Sequence, residues 1–230
     1  TSGAGGGIHL QQFDANGAAV DGEQQVSQFA VRDQTPHQVA RSSNGNYVIV
    51  WTDTARDTDV SAGVFAQLFD QDHNPIGGEI QVAEVTELDQ EYPSVAMDDS
   101  GRFVVAWASV EFDQLVDKIA HIYGRRFNAD GSPDGGQFQI STTPTSDDVV
   151  IGPDIDMNTA TGEFIVVWEI GRFARRYDAN LTPLTPELDL GATFGAVESP
   201  ARVVLHPNGD FTETWTEGFG DSAFVQKFDG

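Results

Sequence analysis

The chain has 230 residues, with 36 acidic against 12 basic side chains, a formal charge of −24 and no cysteine. That charge repels a phosphate backbone and excludes nucleic acid as a partner. No apolar run is long enough to insert in a membrane, and the absent thiols exclude disulfide scaffolds, zinc–thiolate sites, iron–sulfur clusters and cysteine nucleophiles.

The first seven residues, TSGAGGG, read as a flexible Gly-rich terminus. Residues 8–230 read as one domain. It opens with two short strands, IHLQQFD and GEQQVS. From there the chain repeats itself. Four segments run from a Pro to a Trp: Pro36 to Trp51, Pro93 to Trp107, Pro153 to Trp168 and Pro200 to Trp215. In each, a Gly (Gly45, Gly101, Gly162, Gly209) stands six residues before the Trp, and an aromatic (Tyr47, Phe103, Phe164, Phe211) follows that Gly by two. A second module, an aromatic followed by Asp or Asn, recurs at Phe13, Phe69, Phe127, Tyr177 and Phe228. A turn such as DANG, DQDHN or NADG follows the first three of these. Asp and Asn bond their local backbone there, which explains the turns without invoking a ligand.

Each repeat reads as four short strands, a to d. Strand a follows the Pro, and an Asn-Gly, Ser-Gly or Thr-Gly hairpin leads to strand b (YVIVW, FVVAW, FIVVW, FTETW). The first three b strands are apolar on both faces, as a strand covered on both sides requires. Strand c ends on the aromatic-Asp pair, and strand d follows its turn. Four antiparallel strands repeated every ~50 residues predict an all-β propeller. The four Trp are then the packing residues between blades.

The chain begins on c and d and ends on a, b and c. This phase predicts four blades, at about 36–92, 93–152, 153–199 and 200–230, with the last completed by 8–35 through pairing of the N- and C-terminal strands. One c strand is then surplus. Five blades, or an open segment of a longer array, are the alternatives.

The stretch from Gly101 to Ser141, GRFVVAWAS followed by IYGRRFNADGSPDGGQFQIS, resembles the blade-like tandem repeats of large secreted and cell-surface bacterial proteins, among them calcium-dependent repeat-toxin-like and adhesin-like ones. The resemblance implies secretion or a bacterial cell-surface location, and a calcium-rich setting. The third and fourth repeats depart from the pattern, with Leu181 at the turn Gly position and short b–c connections.

For chemistry, the sequence holds no nucleophile elbow, phosphate loop, dinucleotide fingerprint or HExxH. The five His are scattered. The b–c and d–a connections share one end of a blade, and half of the 36 acids fall on them. Asp53, Asp57 and Asp59, then Glu111, Asp113 and Asp117, are the candidate binding residues. The first three are the candidate metal ligands, with Ca²⁺ as the cofactor such oxygen donors would hold. Glu213 interrupts an apolar b strand and Glu169 follows Trp168. Arg125-Arg126 and Arg175-Arg176 take equivalent c-strand positions, where bridging to acids of the adjacent blade is expected. No catalytic residue is assigned.

The expected function is that of a non-catalytic structural or interaction module. Its partners are other copies of itself, neighbouring domains or surface glycans, and the unpaired terminal strand is its means of self-association. A glycan-binding lectin is the alternative. A glycosidase is the third reading, and it requires two carboxylates roughly 5–10 Å apart.

Overall fold

The computed structural model describes residues 7–28, 34–54, 61–111, 119–142, 145–146, 152–168, 172–191, 201–217 and 222–229. Every regular element among them is a strand, and every pairing is antiparallel.

A hairpin comes first, β1 (His9–Phe13) with β2 (Ala19–Gln25). Sheet I is the meander β3 (Gln34–Arg41), β4 (Tyr47–Asp53), β5 (Gly63–Phe69) and β6 (Pro75–Gln81). Sheet II repeats it as β7 (Asp89–Met97), β8 (Phe103–Glu111), β9 (Ile119–Phe127) and β10 (Phe138–Gln139), with β11 (Thr145–Ser146) also on β9. Sheet III holds β12 (Asp154–Met157), β13 (Phe164–Trp168), β14 (Phe173–Tyr177) and β15 (Leu188–Asp189). Sheet IV has three strands: β16 (Arg202–Leu205), β17 (Phe211–Glu217) and β18 (Ser222–Phe228).

The two sequence modules recur together because they meet across strands b and c. The aromatic after each Gly lies opposite the aromatic before each Asp or Asn, and the rings stack: Tyr47–Phe69 at 5.1 Å, Phe103–Phe127 at 4.9 Å, Phe164–Tyr177 at 5.0 Å and Phe211–Phe228 at 4.7 Å. Directly opposed aromatics are among the stronger cross-strand pairs.

Alternation then assigns the faces. Tyr47, Ile49 and Trp51 turn toward the hairpin and bury Ile8 and Val26. Val48 and Val50, on the other face of the same strand, pack against Val105, Trp107 and Phe127 of sheet II. The pattern repeats between sheets II and III around Trp168, and between sheets III and IV around Trp215. The units therefore stack in series, hairpin, I, II, III, IV, with one buried Trp at each interface. In β17 the outward positions that hold Val48 and Val50 in sheet I are Thr212 and Thr214, so the outward face of sheet IV is more polar.

The first strands, β3, β7, β12 and β16, lie side by side in that order. A polar column joins them. Gln38, Ser94, Asp154 and Arg202 occupy one register position, opposite Val50, Ala106, Val167 and Thr214. Ser94 Oγ donates to Gln38 Oε1 (2.9 Å), and Arg202 Nη1 donates to Asp154 Oδ1 (3.1 Å). Each of the first three side chains also accepts from the next strand's backbone: Val95 N on Gln38, Ile155 N on Ser94 and Val203 N on Asp154.

The expected closure is not what the described residues show. β2 pairs with β1 and β18 with β17, and the N-terminal hairpin does not complete the sheet begun by the C-terminal strands. It packs its face on β4 and β5 instead. Gln34 secures it there, because its Oε1 accepts from Ile8 N (3.0 Å) while its Nε2 donates to Asp53 Oδ2 (3.0 Å). The surplus c strand is therefore β18, at the open edge of sheet IV.

The turns are well defined. Each a–b turn places its Gly in the left-handed region, at φ 98°, 88°, 76° and 90° for Gly45, Gly101, Gly162 and Gly209, where a side chain is strained. Each c–d turn has the same need four residues after its aromatic, met by Gly17, His73, Gly131 and Leu181. Asp14, Asp70 and Asp178 each accept two backbone N–H bonds within the turn, the reading given to DANG and its relatives. Those bonds, joined at Asp70 by the Asn74 side chain, hold the three carboxyls below their ordinary range. A depressed carboxyl pKa contributes stability above the unfolded value, lost as pH falls through the folded one. Urea midpoints are therefore expected to fall as pH drops from about 4.5 toward 3, and less steeply in D70N/D178N. An equal slope in that variant would refute the assignment.

Candidate functional site

The end of the molecule to which the acids were assigned, formed by b–c and d–a connections, is only partly described. Asp57, Asp59, Asp113, Asp117 and Glu169 lie outside the described residues. Glu111 closes β8 and is exposed. Asp53 is the last residue of β4, 3% exposed, with its carboxylate on Gln34. Of the candidate metal set, the one described member thus serves the hairpin–sheet I junction. Among the described residues no three His, Asp or Glu gather as a metal site would require.

The Arg pairs bridge between units. Arg125 donates to Val82 O of sheet I (3.0 Å) and pairs with Glu84 (2.7 Å), while Arg175 donates to Ile140 O of sheet II (3.0 Å). Arg126 pairs with Asp134 in its own sheet and reaches Ala179 O of sheet III. A second series is carried by strand d, where Glu79, Gln137 and Glu187 accept from Gln28 N, Glu84 N and Thr142 N of the unit before. Sequence reading found the Arg series and missed this one, although a Glu or Gln stands four residues after Pro75, Pro133 and Pro183 alike.

Glu213 is the strongest departure from the repeat. It occupies the b-strand position held by Ile49, Val105 and Val166, and it is 0% exposed. Its partner is Arg172 of sheet III, 4% exposed, where the equivalent residues are Val64 and Ile122. Arg172 Nη2 donates to Glu213 Oε2 at 2.5 Å, and its guanidinium carbon lies 3.4 Å from the Trp215 ring centroid. Glu213 Oε1 and Arg172 Nε have no hydrogen-bond partner among the described residues. Two apolar positions at one interface have been exchanged together for an ion pair over an aromatic face. Glu213 was conspicuous in the sequence. Arg172 was not, and only the matching departure at the Val64 and Ile122 position could have revealed it.

Two clefts open on the rim at equivalent places between consecutive units. One, about 220 Å³, lies between the hairpin and sheet I, bordered by Gln12, Asp21, Gln24 and His73. The other, about 320 Å³, lies between sheets II and III. Its apolar wall is Phe138, Tyr177, Leu181 and Pro183, and its polar residues are Asp134, Gln139 and Arg175. Between sheets I and II the same place is filled, since a Cβ on Gly131 would stand 2.8 Å from Ile80. The grooves are therefore unlike one another.

No family model matches the chain, and no curated protein matches it. Among solved structures it is similar to a protein of unknown function from Dyadobacter fermentans DSM 18053, at 12% identity and a TM-score of 0.55, over 83% of this chain and 64% of that one. It is also similar to the polysaccharide lyase Uly1, at 12% identity and a TM-score of 0.60, over 100% of this chain and 54% of that one. This chain spans less than two thirds of either. The shared property at such identity is the fold: all-β, built from antiparallel, mostly four-stranded sheets.

Proposed function

We propose that this chain is a non-catalytic interaction module of a secreted or cell-surface protein, and that it assembles by adding a strand to β18. The observation that supports this is the edge that β18 presents. Among the described residues, sheets I to III each run a, b, c, d, and sheet IV shows a, b and c. Its last strand is exposed, with Val225 at 70% and Phe224 at 39%. An unpaired edge of that kind templates another strand. The strand it takes is of the d type, and β2 of a second copy is one, since its described pairing is with β1 alone. Assembly then follows a head-to-tail course, which closes into a propeller ring if the rotation allows and extends as an array if it does not.

The charge of −24 opposes contact between copies, so added salt should favour it. Sedimentation or native mass measurement is expected to show mass rising with concentration, more so in salt. The variant V225K, a charge on an exposed edge position, should return the protein to monomer. A strict monomer at high concentration and high salt would remove this reading. Millimolar calcium in a parallel run tests whether an ion bound at the acidic end contributes beyond screening.

A further inference from the structure

The groove between sheets II and III departs from its equivalents at three points at once. On its sheet II side, Phe138 stands where sheets I and III have Ile80 and Leu188. The residue opposite it in strand c is Gly124, where the others have Ala66 and Ala174, and a Cβ there would come within 2.9 Å of the Phe138 ring. The larger ring has been admitted by removal of a methyl group. On the sheet III side, Tyr177 replaces the Phe found at Phe13, Phe69, Phe127 and Phe228. Its residue is 2% exposed, and its buried hydroxyl faces the Arg175 guanidinium. Burial raises its pKa, so the phenol keeps its proton and remains a donor. Leu181 sits at φ 66°, where two other turns use Gly. A branched side chain is held in the groove wall at a position where its backbone is strained.

Phe138, Tyr177 and Leu181 pack on the core between sheets II and III, whereas the neighbouring groove closes with Ile80 and Gly131. What they build is a cleft of about 320 Å³, at the lower end of ligand-sized pockets. Phe138 of sheet II and Tyr177 of sheet III meet edge to face at 5.6 Å. Asp134, Gln139 and Arg175 bring acceptors, an amide and a guanidinium to the same cleft. Apolar C–H faces and hydroxyls that both donate and accept are the features of a sugar ring, and they match this division. A peptide strand is a poorer fit, because β10 is two residues long and offers little edge for strand addition.

The geometry points to a saccharide-binding site of one to two sugar rings in the groove between sheets II and III, with Phe138 as its platform, Tyr177 buried behind it, and Asp134, Gln139 and Arg175 as its polar contacts. The site is independent of assembly at β18, and the V225K monomer retains it.

The experiment is a titration of isotope-labelled V225K with cellobiose, lactose and digalacturonate, followed by amide NMR shifts. Saturable shifts at Gly135, Gly136 and Gln139 are expected with at least one sugar, at millimolar affinity. Y177F restores the residue of the other repeats, and L181G relieves the backbone strain, so both should fold. Each should weaken binding, and the pair together by about tenfold or more. Saturable shifts with digalacturonate alone would assign Arg175 the recognition of a carboxylate, and R175Q, the residue of sheet I at Gln67, should abolish them. Absence of saturable shifts with all three sugars would overturn the site, as would shifts that are unchanged in the Y177F/L181G variant.

Discussion

Replacing Arg172 with Ala is expected to destabilise the protein by about 3–5 kcal/mol, the loss seen when one partner of a buried ion pair is removed. Glu213 is fully buried and its Oε2 accepts from Arg172. Without the guanidinium, the carboxylate keeps its desolvation penalty and loses its counter-charge, and Trp215 loses the cation over its ring. The reverse change, Glu213→Ala, strands the guanidinium and should cost a similar amount. The double variant R172V/E213V should behave differently. It restores the apolar pair that other interfaces use, so it should be neutral or more stable than the natural chain by up to ~4 kcal/mol. Urea unfolding of the natural chain, R172V, E213V and R172V/E213V forms a complete cycle. Additive losses in the double variant would show that the two groups do not act as a pair.

The second large effect is at Trp107, which is fully buried and whose Nε1 donates to Gln90 Oε1 at 2.6 Å. Trp107→Ala should cost about 3–5 kcal/mol in lost burial and cavity. The Phe substitution separates packing from hydrogen bonding. In W107F the Gln90 oxygen is left without its donor, a further cost of about 1–3 kcal/mol. Trp51 provides the control, since it is equally buried but its Nε1 has no hydrogen-bond partner among the described residues. W51F should therefore lose clearly less than W107F. Equal midpoints in urea would show that the Gln90 bond carries no weight.

Much of the strand layout was legible because two short modules fix it. The Gly-x-aromatic spacing sets the a–b hairpin, and the aromatic-Asp pair ends strand c, so each b–c pairing is settled by opposed rings such as Phe103 and Phe127. The terminal arrangement was not legible, for a physical reason. A c–d hairpin can complete a sheet by its edge or cover a sheet by its face, and the same alternating pattern serves both. Ile8 and Val26 satisfy the pattern by packing on Trp51 and Phe65, which leaves β18 open. Asp53 illustrates a boundary error. The acid two residues after a Trp was read as loop, but β4 continues through it, and its pairing with Gln34 and Gly63 places the carboxylate inside. The groove between sheets II and III is harder still: Leu181 stands out at a turn Gly position, but Phe138, Gly124 and Tyr177 each look like ordinary variation until their register is known.

The polar column along the first strands has a direction. Gln38, Ser94 and Asp154 each present an oxygen to the backbone of the strand that follows. Arg202, at the same position in the last of them, has donors only. The sheets are therefore not interchangeable parts. A gene duplication that copied sheet II or III in tandem would give the newcomer an acceptor to lean on. A copy of sheet IV placed behind itself would set a guanidinium against an amide hydrogen, two donors with no lone pair between them. Duplication is thus favoured at sheets II and III and obstructed at sheet IV.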